Sequence, residues 1–166
     1  MSEALDPLLR WLQAMSVPTA IRENDNLFPW IESVHVLAIV IVVGSISIVD
    51  LRLLGVASRD RPVGRLMRDV LPLTWSAFAL AALTGGLLFS SKAMDYAHNF
   101  YFQGKMALLA LAALNMAMFH AFTGRAVERW GAMAQPPRAA KAAAAVSLLL
   151  WVCVVGFGRW IGFSLK

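Results

Sequence analysis

Cysteine is all but missing from this chain: Cys153 stands alone. One thiol excludes an intrachain disulfide and any CxxC redox or metal pair, and inside an apolar run it reads as a small core residue. HExxH, a phosphate-cradling glycine loop and a GxSxG nucleophile elbow are also missing, so no zinc-protease, nucleotide-hydrolase or serine-hydrolase signature is present. Charge is scarce. Asp, Glu, Lys and Arg make up 15% of the residues, against about 25% in a soluble domain. The first 27 residues hold no apolar h-region, because Glu3, Asp6, Arg10, Arg22, Glu23 and Asp25 interrupt them. No cleavable signal peptide is expected, and the first span acts as its own insertion signal.

What the chain has is apolar length. Its 166 residues are 59% hydrophobic, and four runs carry no formal charge: Ser33–Val49, Val70–Ser91, Met106–Gly124 and Ala142–Gly158. About 20 apolar residues at ~1.5 Å rise cross the ~30 Å hydrocarbon core, whereas a buried strand needs far fewer. The runs predict membrane helices over 28–55, 70–91, 104–124 and 141–160. Leu5, Leu8, Leu9, Leu12 and Met15 recur at helical spacing beside Arg10 and Trp11, which predicts an amphipathic interfacial helix over 4–17. Ser16–Asn26 reads as a connector, and Phe28-Pro29-Trp30 as an aromatic anchor. The expected fold is all-α: a polytopic membrane protein, a four-transmembrane-helix bundle in one domain.

Of the 15 Lys and Arg residues, nine fall in two loops: Arg52, Arg59, Arg61, Arg65 and Arg68 after the first span, and Arg125, Arg129, Arg138 and Lys141 after the third. The net charge of +5 is therefore a topology signal, not a nucleic-acid footprint. It places both loops in the cytoplasm and gives an N-out, C-out protein of the bacterial inner membrane. The Lys92–Gly104 loop then faces the periplasm.

Ionisable groups inside spans need a reason, since lipid disfavours them. His35 lies seven residues after Phe28, about 10 Å below the outer surface. Glu32, three residues earlier, shares its helical face. Lys105 and Arg159 sit at the outer ends of spans three and four, and Lys92 and His98 lie in the outer loop. Cations there are not explained by the positive-inside rule. Either they pair with Glu32 and Asp95, or they neutralise an anionic ligand such as haem propionates, a quinone head group or a carboxylate. His120 lies about 22 Å below Lys105, nearer the cytoplasmic face. Candidate cofactor-binding residues are thus His35, His98, His120, Lys105 and Arg159, with His35, His120 and Glu32 as candidate metal ligands. For His35 the alternative is a hydrogen-bonded packing histidine. One Glu-x-x-His is too few for a di-iron bundle. The eight methionines are dispersed, as core methionines are. Gly85-Gly86 permits close approach of a helix or a flat cofactor.

His35, Arg52-Leu53, Pro72, Gly85, Lys105 and His120 together resemble the pattern of the integral-membrane protoporphyrinogen oxidase family and the related copper-resistance D-type membrane domains. TAIREND, FPWIESVH, DLRLLG and GRWIGF make the whole chain similar to a family of small bacterial membrane proteins of unknown function. The first resemblance implies a b-type haem, with the family's His and Lys at His35 and Lys105. The expected function is haem b binding and electron transfer near the periplasmic face. Copper handling is the rival, and a non-catalytic membrane anchor or assembly subunit the third reading. The partners implied are the lipid bilayer, a periplasmic or membrane redox protein and a second copy of the chain, with no nucleic acid.

Overall fold

A computed structural model describes residues 5–58, 60–124, 127 and 135–165. Its helices are α1 (Asp6–Gln13), α2 (Ser16–Glu23), α3 (Leu27–Leu54), α4 (Val63–Ser91), α5 (Ala93–His98), α6 (Phe100–Phe119) and α7 (Arg138–Ser164); α6 runs on through a π turn, His120–Gly124. No strand occurs among the described residues. Four of the helices, α3, α4, the stretch Phe100–Phe122 and α7, are long and apolar enough to cross a membrane, and the chain is a multi-pass membrane protein.

Several boundaries differ from the sequence reading, each for a local reason. The helix expected over 4–17 is two helices, broken at Ala14-Met15. The connector expected from Ser16 is helical because Pro18 falls in the first turn of α2, where a missing N–H costs nothing. Arg65, Arg68 and Asp69, expected in a loop, belong to the first turns of α4. Pro72 therefore lies well inside that helix rather than near its start. Arg59, Arg125 and Arg129 lie outside the described residues.

Helix ends are set by recognisable residues. Gly55, at φ 76°, closes α3 in the left-handed conformation, and the Val56 N–H returns to the Leu51 carbonyl at 2.9 Å. Asn99 caps α6 by accepting from the Phe102 N–H at 3.1 Å, and its amide donates to Ser164 Oγ at 2.8 Å, which ties the start of α6 to the end of α7. Arg22 and Gln13 reach the Ser91 carbonyl at 3.4 and 3.5 Å, so α1 and α2 hook over the last turn of α4.

The spans form two antiparallel hairpins, α3–α4 and α6–α7. They join along a seam where α3 packs on α7, while α4 and α6 share no extended close packing. Two polar pairs fix the register of the first hairpin: His35 with Thr84, and Ser45 with Thr74 at 2.8 Å. Each pair is displaced ten residues along both helices, as an unslipped antiparallel pair requires. A cluster of Leu53, Val63, Phe119, Val127, Ala140 and Ala144 fills the basic end.

Candidate functional site

The site is built around His35, half-buried on α3. Its Nδ1 is 3.0 Å from Thr84 Oγ1 on α4. Thr84 is buried, and its hydroxyl donates to the Leu80 carbonyl at 2.7 Å. A hydroxyl has one proton, so toward His35 the threonine oxygen accepts and the ring nitrogen donates. The Ala81 carbonyl, 3.3 Å from Thr84 Oγ1, is a second acceptor beside the ring. This assigns the proton of a neutral imidazole to Nδ1 and leaves the lone pair on Nε2, the arrangement a second-shell partner imposes on a ligating histidine.

Gly85 makes room for the ring. A Cβ there would stand 2.9 Å from His35 Cε1, whereas at Gly86 a Cβ would meet nothing within 4 Å. Of the two adjacent glycines, one is a seat for the imidazole and the other faces outward.

Lys105, half-buried on α6, is close enough for its charge to act on His35. Its stem runs over Gly158 of α7, where a Cβ would lie 3.5 Å from Nζ. No carboxylate pairs with it among the described residues. One turn toward the outside, Phe89, Tyr96 and Phe102 form a three-ring roof, with Phe89 and Phe102 stacked at 5.3 Å and Tyr96 5.5 Å from Phe102. Phe89 is one turn above Gly85 and Phe102 one turn above Lys105, so the roof covers the seat. Glu32, one turn above His35 and exposed, acts on Tyr96. Burial first, then the Glu32 and Asp95 carboxylates, push the Tyr96 phenol above its ordinary value and keep it neutral.

The remaining candidates lie elsewhere. His98 is exposed; its Nδ1 is 2.9 Å from the Met94 carbonyl and its Nε2 is 3.5 Å from Asp6 Oδ1, a contact between α5 and α1. His120 is exposed, with Nδ1 2.9 Å from the Met116 carbonyl, about 22 Å along α6 from Lys105. Arg159 is exposed and places its guanidinium 4.8 Å from the Phe163 ring. Lys92 sits 5.5 Å from the Phe28 ring. The ion pairs expected with Glu32 and Asp95 are not found among the described residues, and aromatic faces take two of these cations instead. No group of three His, Cys, Asp or Glu able to hold a metal occurs among the described residues. Thr84 and Tyr96 were not legible as site residues: a threonine inside an apolar span and a tyrosine in an aromatic loop carry no signal of spacing or charge.

Fold and site together define a class: a four-span helical membrane protein with a histidine–lysine site toward one end of the bundle. The chain belongs to the Family of unknown function (DUF6644), whose model matches residues 27–164, all four spans without α1 and α2. No curated protein and no solved structure matches it.

Proposed function

We propose that this is a b-type-haem-binding protein of the bacterial inner membrane that passes electrons near the periplasmic face. The observation that carries the reading is the oriented imidazole: Thr84 accepts the Nδ1–H hydrogen bond and leaves the Nε2 lone pair free, within reach of the charge of a lysine that has no carboxylate partner among the described residues. A site built merely to pack a histidine has no use for an unpaired ammonium nearby. The donor chemistry fits haem b, which would supply one-electron transfer when bound. His35 would hold it through Nε2, Thr84 would fix the ring that holds it, Lys105 would compensate its charge, and the Phe89–Tyr96–Phe102 roof would keep outer water away. The similarity of His35 and Lys105 to the porphyrinogen-oxidase pattern supports the same assignment. With His98 engaged by Met94 and Asp6 and His120 about 22 Å along α6 from Lys105, one histidine serves, not two.

The orientation follows from charge. Arg52, Arg61, Arg65, Arg68, Arg138 and Lys141 gather at the end opposite His35, which supports a periplasmic side for the site. Visible spectra of the purified protein test the function. A reduced-minus-oxidised difference with Soret and α bands is expected. Copper without haem, or neither, refutes the proposal.

A further inference from the structure

A second ionisable group is buried at the other end of α3. Asp50 is 6% exposed, and its Oδ2 is shut off from solvent with no hydrogen-bond partner. Ser147 of α7 stands beside its carboxyl, across the seam between the hairpins. No cation pairs with it among the described residues. Arg52, two residues on and so on the far side of the helix, donates Nε–H to the Arg61 carbonyl at 2.8 Å. On α4, Arg65, Arg68 and Asp69 are exposed; on α7, Arg138 is exposed and Lys141 half-buried, two turns before Ser147. His120 of α6 is exposed and held by the Met116 carbonyl. The neighbours of the carboxyl along the seam are apolar: Val49 and Leu53 on α3, and Ala143 and Ala144 on α7.

We propose that Asp50 is a proton-binding site: the folded protein holds it as the neutral acid, on the seam between the hairpins. An ionised carboxylate with a buried, unpartnered oxygen is a costly species in such surroundings, and the neutral acid is less so. The proton comes from water at the basic end, where α3 finishes four residues, about 6 Å, beyond Asp50. Loss of that proton leaves a charge that draws water or a cation between α3 and α7, so occupancy of the site sets how tightly the hairpins close there. The inference is independent of any ligand at His35.

Infrared spectroscopy of the full-length protein in lipid, grown with aspartate carrying 13C in its carboxyl, tests it. At about pH 5, where ordinary aspartates are ionised, the wild type should show the C=O stretch of a protonated carboxyl that moves with the label and shifts in D2O. The other described aspartates are exposed or half-buried, and ionised aspartates give no such band. The band should vanish in Asp50→Asn. A wild type without a label-sensitive protonated-carboxyl band overturns the proposal, even if the variant fails to fold, and so does a band that survives in Asp50→Asn.

Discussion

Alanine at Gly85 and alanine at Gly86 should behave as opposites. At Gly85 the new Cβ meets His35 Cε1 at 2.9 Å, about 0.5 Å inside ordinary contact, and the ring must move. The helix backbone of α4 cannot yield, so the imidazole leaves its rotamer, at about 0.5–1.5 kcal/mol, and loses the 3.0 Å bond to Thr84, worth about 0.5–1.5 kcal/mol. Together these weaken a ligand held on Nε2 by about 1–3 kcal/mol, or about 5- to 150-fold. Alanine is a better helix former than glycine by about 1 kcal/mol, so α4 itself should not be destabilised. Gly86→Ala gains the same propensity and meets nothing within 4 Å. The assay is absorbance titration of both purified variants with haem b, alongside thermal unfolding. Binding lost in Gly85→Ala and kept in Gly86→Ala is expected. Equal affinity in the two variants would refute the seat.

Four further outcomes follow from the same geometry. Thr84→Val keeps shape but removes the acceptor of Nδ1–H, and haem affinity should fall about 10- to 100-fold, the range for an outer-shell partner of a ligating histidine. Lys105→Gln should weaken binding about 10-fold or more in the same titration, while Arg159→Lys should leave it unchanged, because that guanidinium rests on Phe163 and not on the site. The Tyr96 phenol is raised above its ordinary value, so its neutral form stabilises the fold below about pH 10 and that contribution is lost as pH rises through the folded value. A spectroscopic titration should show tyrosinate forming at lower pH in Glu32→Gln than in wild type. A reporter active only in the cytoplasm should work when fused after Arg61 or Arg138 and fail after Leu165.

Depth along a membrane helix is written in the sequence; direction around it is not. Counting at 1.5 Å per residue placed His35, Lys105 and Arg159 toward one end and His120 toward the other. Run lengths located the four spans. What the count could not supply was azimuth. Lys105 turns inward over Gly158 while Arg159, the next residue after that glycine, turns out to Phe163. Thr84 stayed invisible because a threonine barely changes the hydropathy of its span, and its part is defined by a histidine 49 positions away. The glycine pair was legible as a place of close approach. Which glycine is approached, and by a side chain instead of a helix, is decided by packing. Asp50 follows the charge-free run of the first span, and nothing in the sequence shows that it and Arg52 are both buried near the end of α3.

The central claim is that one histidine, His35, holds the cofactor. Haem titration of His35→Ala, His98→Ala and His120→Ala, each purified from the membrane, tests it directly. The account predicts that His35→Ala inserts normally and binds no haem, while the other two variants bind as wild type does. Unchanged binding in His35→Ala, or its loss in His120→Ala, would contradict it.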